Sequence, residues 1–186
     1  MPRVNMFNNI SLDGYFVDAN GDMSWAHAGS EDPEMGEFTS KNASGGGALI
    51  FGRITYELMK AFWPTPVAAQ MMPEVARGMN AARKYVFSRT LKDSDWANTV
   101  ILDGDPATEI ARLKKGDDKG LTILGSGSIV KQLTAAGLID DFQFLVNPVV
   151  LGGGRTLFDG VPGRPSLILE NSRTFKNGKV FLHYRR

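Results

Sequence analysis

The chain has no cysteine in its 186 residues, which excludes a thiol nucleophile, a disulfide framework and any cysteine-ligated metal centre. It has two histidines, His27 and His183, and they do not stand one helical turn apart, so no metal site is expected. Charge of one sign is also missing. Against 21 Lys and Arg stand 20 Asp and Glu, a formal net charge of +1, and with no basic run to track phosphates a nucleic-acid partner is not expected. No apolar run reaches the roughly 18 residues that cross a bilayer, and Met1 to Phe7 lacks a signal peptide's apolar core. The expectation is a cytoplasmic protein without membrane contact. No Gly-Lys-Ser/Thr follows a glycine at P-loop spacing, which removes kinase and ATPase chemistry. The usual dinucleotide fingerprint is incomplete too, because Val130 stands in the place of its third glycine.

What is present is a 42% hydrophobic and 22% charged composition, enough for one sizeable core in a single domain over residues 1–186. Arg3 to Asn9 reads as a first strand, and the polar, Gly-rich stretch Ser11 to Asp22 as a long loop without regular structure. Asp32-Pro33 opens a helix reaching about Asn42, and Ala48 to Gly52 is a buried strand. Ile54 to Ala61 is helical in pattern, as is the stretch from Thr65-Pro66 to about Asn80, interrupted by Pro73. Strands follow at Lys84 to Ser88 and Thr99 to Leu102, then a helix capped by Asp105-Pro106 and ending near Gly116. Leu121 to Leu124 is a short strand, and Ile129 to Ala136 a helix stopped by Gly137.

This alternation predicts an α/β fold with a mostly parallel twisted sheet and helices on both faces. The last third breaks the pattern. Asp141 to Val149, Ser166 to Arg173 and Lys179 to Arg185 are strands with no helix between them, and Asn177-Gly178 signals a two-residue hairpin. An antiparallel C-terminal hairpin therefore completes the sheet.

In such sheets ligands bind beyond the carboxyl ends of the strands. Three segments there carry chemistry. Gly52-Arg53-Ile54-Thr55 sets a glycine and a guanidinium at a helix start, where backbone donors and the dipole favour a phosphate. Ser88-Arg89-Thr90 adds a second guanidinium able to fork onto a phosphate. Gly125-Ser126-Gly127-Ser128-Ile129 is a strand-to-helix turn that lets the backbone approach a pyrophosphate. Each alone also reads as an ordinary polar or glycine turn.

Together, in this order and over nearly the whole chain, these segments resemble the dihydrofolate reductase-like superfamily. Ser11-Leu12-Asp13-Gly14 and Gly152-Gly153-Gly154-Arg155 draw the resemblance toward one branch, the reductase domain of bacterial riboflavin biosynthesis, the RibD C-terminal domain. The resemblance implies an NADPH-dependent reductase and commonly a homodimer, with the C-terminal strand Lys179 to Tyr184 as the edge a twin subunit would cover. By the same likeness Gly52, Arg53, Thr55, Ser88, Arg89, Gly125, Ser126, Gly127, Ser128 and Ile129 become cofactor contacts. Two positive charges favour NADPH over NADH. Such enzymes often have a cis bond within their paired glycines; Ser126 replaces the second here, and the state of that bond stays open.

On the substrate side the protein has to hold a C=N or C=O against the nicotinamide and manage one proton. Asp13, Glu34 and Glu37 are the candidate acids, with the choice between the two glutamates open. Asp13, Trp25 and Gly153 are the candidate substrate contacts. Trp25, His27, Phe38 and Phe62 would form an apolar slot for a flat heterocycle, pterin-like or pyrimidine-derived, although core packing explains the aromatics as well. The competing function is a non-catalytic nucleotide binder on a reductase-like fold.

Overall fold

The computed structural model describes residues 1–29, 31–43 and 45–186. Its elements in chain order are β1 (Val4–Ser11), β2 (Tyr15–Val17), a short 3-10 helix (Ser24–His27), α1 (Pro33–Ala43), β3 (Ala48–Gly52), α2 (Arg53–Phe62), α3 (Pro66–Met71) and α4 (Pro73–Ala81). They continue with β4 (Lys84–Phe87), β5 (Thr99–Leu102), α5 (Pro106–Leu113), β6 (Leu121–Leu124), α6 (Gly127–Ala135), β7 (Asp141–Asn147), β8 (Arg155–Thr156), β9 (Ile168–Thr174) and β10 (Val180–Arg185).

The main sheet has eight strands in the order β5-β4-β3-β6-β1-β7-β10-β9. From β5 to β7 all neighbours are parallel, while β10 runs antiparallel to both β7 and β9. This is the mostly parallel sheet with an antiparallel C-terminal hairpin that the sequence predicts. Both faces are covered because alternate side chains of the central strands are apolar on each side. On one face Val4, Met6, Ile50, Leu121 and Ile123 pack with Ile110 and Leu113 of α5 and with Ile129, Val130 and Leu133 of α6. On the other, Phe51 and Val86 meet Tyr56 of α2 and Val75 and Met79 of α4. Further along, Met35 joins Leu145, Phe175 and Phe181, with Phe38 against them. Each such fully buried aliphatic side chain contributes roughly 1.5–3 kcal/mol.

Local signals set the helix ends. The Asp32 carboxylate accepts Glu34 N at 2.9 Å and Met35 N at 3.2 Å, and Asp105 accepts Thr108 N at 2.9 Å. These are N-caps, each followed by a first-turn proline. Gly137 supplies the left-handed residue after α6, with φ +68°.

Four expectations change. The stretch from Thr65 to Asn80 is two helices rather than one, broken at Met72 (φ −141°, ψ 66°), because the residue before a proline is pushed out of the helical region. The loop after β1 contains a strand: β2 pairs antiparallel with β8 as a two-stranded ribbon. Phe175 N donates to Lys179 O at 2.9 Å, so the hairpin loop holds three residues, Lys176 to Gly178, with Gly178 at φ +82°. Finally, β10 lies inside the sheet and β9 is its edge.

One buried charge holds the β4 side together. Lys84 is fully buried, and its ammonium donates to Ala82 O at 2.7 Å, Ala97 O at 3.1 Å and Asn80 O at 3.2 Å. It also stands 4.5 Å over the Trp96 ring. Two of those carbonyls belong to the end of α4, where helical acceptors lack intrahelical partners. Burial pushes the ammonium pKa down to about 8.

Candidate active site

The parallel register brings the three phosphate-suited segments to one edge. Gly52 pairs with Phe87, Ile50 with Ile123, and Phe7 with Leu124, so the residues after β3, β4 and β6 lie side by side at their carboxyl ends. The first and third segments are also bonded directly. Ser126 N donates to Thr55 Oγ1 at 3.1 Å, and Gly52 N donates to Ser126 Oγ at 3.0 Å.

Those bonds explain an unusual backbone. Gly125 and Ser126 are both left-handed, φ +57° and +52°, which for the serine costs about 1–3 kcal/mol. The structure offsets this by using both polar groups of Ser126, whose hydroxyl also donates to Leu124 O at 2.9 Å. The bond between Gly125 and Ser126 is trans. With Ser126 turned inward and Ile129 packed in the core, the first amides of α6, on Gly127 and Ser128, find no acceptor among the described residues. They form an open pair of donors at a helix start.

Two guanidiniums flank this edge. Arg53 is exposed and gives both bonds of its Nη1 to Glu57, 3.1 Å to each carboxylate oxygen. Arg89 is exposed and has no carboxylate partner among the described residues. Ser88 shapes its own turn, its hydroxyl accepting Leu91 N at 2.9 Å.

The β2–β8 ribbon stands against the same helix start. A Cβ on Gly127 would come within 2.4 Å of Phe16 Cζ, so a side chain here would displace this ring from the helix start. The Arg155 guanidinium lies 5.5 Å from the centre of the Phe16 ring. Gly154 is equally constrained, since its Cβ would fall 2.1 Å from Val17 O at φ +146°.

Asp13 ties the base of the ribbon. Its carboxylate accepts Ser11 Oγ at 2.6 Å, Gly152 N at 2.7 Å and Leu151 N at 3.1 Å. The Ser11 hydroxyl first, then the Gly152 and Leu151 amides, hold its pKa down to about 2. At neutral pH it accepts hydrogen bonds and has no proton to give. It joins the loop after β1 to the glycine turn after β7, which is where Gly153 lies, half-exposed and with nothing within 4 Å of a Cβ.

The other two acids are engaged elsewhere. Glu34 pairs with Arg173 at 2.5 Å and Glu37 with Lys41 at 2.6 Å, and the lysine holds the Glu37 carboxyl below the usual range. The expected aromatic slot is not formed: Phe38 packs on Phe175 and Phe181, Phe62 meets Trp63, and His27 is exposed. Trp25 does line a cavity of about 130 Å³, together with Asn147, Pro148, Val149, Asn177 and Lys179. Neither Asn147, Lys179 nor Phe16 is singled out by the sequence. The one local hint is an asparagine closing an apolar strand just before a proline.

Residues 2–181 match the RibD C-terminal domain model. The chain belongs to the RibD C-terminal domain family. It is 30% identical to the uncharacterized protein YyaP of Bacillus subtilis over 175 residues, which cover 94% of this chain and 90% of YyaP. Among solved structures, a pyrimidine reductase-like protein of Corynebacterium diphtheriae superposes with a TM-score of 0.71 at 14% identity, covering 99% of this chain and 91% of that one. A Thermotoga maritima protein, a diaminohydroxyphosphoribosylaminopyrimidine deaminase and 5-amino-6-(5-phosphoribosylamino)uracil reductase, gives 0.66 at 17% identity over 99% and 56%. Both share the fold. Membership of the RibD C-terminal domain family supports a reductase, and among the described residues no helix is long and apolar enough to cross a membrane.

Proposed function

We propose that this protein is an NADPH-dependent reductase that delivers a hydride to a small pyrimidine-type heterocycle at a C=N or C=O. The observation that carries the reading is the unpaired amides of Gly127 and Ser128, set beside two exposed guanidiniums at the ends of adjacent strands. Amides at a helix start suit a pyrophosphate, and the guanidiniums suit the additional phosphate that distinguishes NADPH from NADH. The bound dinucleotide supplies the hydride. Thr55 and Ser126 brace the turn that presents the two amides, and Gly52 keeps the β3 end free of a side chain. Phe16 walls the start of α6, while Asp13 positions the ribbon that carries Phe16. Since Asp13 stays ionised and both glutamates are paired, the proton is expected to reach the substrate from solvent.

Equilibrium titration with NADPH and with NADH tests the reading. Micromolar NADPH binding, with NADH at least tenfold weaker, is the expected result, and no binding of either would sink it. One observation favours a second reading, a nucleotide binder without turnover: the candidate acids are all engaged. Steady NADPH oxidation with any member of a pyrimidine and pterin panel would eliminate it.

We place the partner surface of a homodimer on β9. This edge strand exposes Ile168 (63%) and Leu169 (52%), and open strand edges invite pairing. Sedimentation velocity is expected to show a dimer, converted to monomer by Leu169→Lys. A monomer at all concentrations would contradict it.

A further inference from the structure

Tyr56 is 1% exposed and directly follows Thr55, whose hydroxyl accepts Ser126 N from the glycine turn. Consecutive side chains on a helix point about 100° apart, so α2 turns Thr55 toward the glycine turn and Tyr56 toward the chain that joins β4 to β5. That connection, residues 88–98, carries Arg89. The Tyr56 ring stacks on Trp96 with centroids 5.7 Å apart, and its hydroxyl bonds Ser94 Oγ and, at 3.3 Å, Thr99 Oγ1. Buried in this way, the tyrosine meets no ligand and acts only through what it holds.

The connection contains neither helix nor strand, so no backbone ladder sets its path and side-chain ties must do so. Ser94 Oγ accepts Trp96 N at 3.1 Å, Trp96 Nε1 donates to Asn80 Oδ1 at 2.7 Å, and Lys60 of α2 pairs with Asp95. At the other end Ser88 Oγ accepts Leu91 N at 2.9 Å, closing the turn in which Arg89 lies. Leu91 then packs against the cluster of Phe51, Tyr56 and Trp96. Arg53 rides on the same helix as Tyr56. One buried side chain therefore ties the helix bearing the first guanidinium to the connection bearing the second.

We propose that Tyr56 is a positioning residue for dinucleotide selection: through Ser94 and Leu91 it holds the connection in step with α2, so that Arg53 and Arg89 close on one phosphate together. The proposal rests on the reductase reading, which supplies the phosphate. Two guanidiniums at a fixed separation bind it without first ordering an open chain. A loosened connection keeps the Arg89 guanidinium but loses that pre-organisation, and NADH, which lacks the phosphate, gains nothing from the hold. A tyrosine that only packed would behave differently. Losing its hydroxyl would cost stability and leave the choice between the dinucleotides unchanged.

Titration of the full chain, Tyr56→Phe, Arg89→Ala and the double variant with NADPH and with NADH tests the proposal. Phenylalanine keeps the ring on Trp96 and removes only the hydroxyl. NADPH is expected to bind Tyr56→Phe about fivefold more weakly, with NADH changed less than about twofold. Once Arg89 is alanine, the same substitution is expected to change NADPH binding less than about twofold, because it acts through that residue. Ser94→Ala removes the partner from the other side and is expected to reproduce Tyr56→Phe, which keeps the test open if phenylalanine impairs folding. Equal losses for the two dinucleotides, or the same loss with and without Arg89, would overturn the positioning role. An unaltered chain that prefers NADPH, with variants that keep this preference in full, removes the positioning role and leaves the reductase. An unaltered chain without NADPH preference removes the dinucleotide reading first, and the positioning role with it.

Discussion

Replacing Arg53 and Arg89 together by alanine is expected to weaken NADPH binding about 100-fold while changing NADH binding less than threefold, so that the preference between the two disappears. The magnitude follows from charge-assisted hydrogen bonds, each roughly 1.5–3 kcal/mol, acting on a phosphate that only NADPH carries. The single substitutions should not be equal. Arg53 already gives two bonds to Glu57, and a carboxylate sharing its guanidinium lowers its attraction for phosphate. Arg89 carries no such partner among the described residues, so Arg89→Ala is expected to cost more than Arg53→Ala. Both arginines are exposed, and their contribution should shrink as salt is raised. Isothermal titration of the four proteins with each dinucleotide measures this, and parallel losses for NADPH and NADH would place the phosphate elsewhere.

The largest expected effect on stability belongs to Lys84→Met. Methionine keeps the length of the side chain but abandons the carbonyls of Asn80, Ala82 and Ala97. Leaving buried acceptors unpaired and losing the contact over Trp96 is expected to lower the unfolding free energy by about 3–5 kcal/mol. The same residue should give the wild-type protein a signature in pH. Its folded pKa is held down to about 8 by burial, against an ordinary 10.5. Between these values the unfolded chain binds the proton and the folded chain does not, so stability rises as pH increases from about 8 to 10.5. Urea unfolding across that window is expected to show the rise in wild type and a smaller one in Lys84→Met, where Lys179, also held down by burial, still contributes. A variant within about 1 kcal/mol of wild type at neutral pH would contradict the structural role.

How much of this was legible in the sequence depends on where each signal's partner lies. α5 is announced by Asp105 and Pro106, and the strand-to-helix turns by their glycines, because caps and turns act within a few residues. The parallel sheet follows from alternation alone. The break at Met72 needs only Pro73, which marks the interruption in the sequence itself. The β2 strand was not legible, because Tyr15 to Val17 is too short to announce itself and is stabilised by Arg155 and Thr156 from far along the chain.

The same rule governs the site. Asp13 reads locally as a turn aspartate, and it does bond Ser11, yet two of its acceptor bonds reach Leu151 and Gly152. Nothing near it in sequence foretells them. Asn147 and Lys179 are joined only by the register of β7 with β10, a pairing that no local signal announces. Of the two glutamates on one helix, Glu34 finds its partner Arg173 only through the fold, whereas Lys41 stands one helical turn after Glu37 and is legible in the sequence.

β1 has a further consequence, for the order in which the protein is made. It is synthesised before both of its partners, for it lies between β6 and β7, which begin at Leu121 and Asp141. At ribosomal speeds of about 5–20 residues per second, Val4 to Ser11 waits on the order of ten seconds for its neighbours. Through that interval a strand alternating Val4 and Met6 with Phe7 is a nascent segment without a sheet. Until the C-terminal third is made, the apolar side chains of β1 have no sheet to enter, and the segment is open to misassociation.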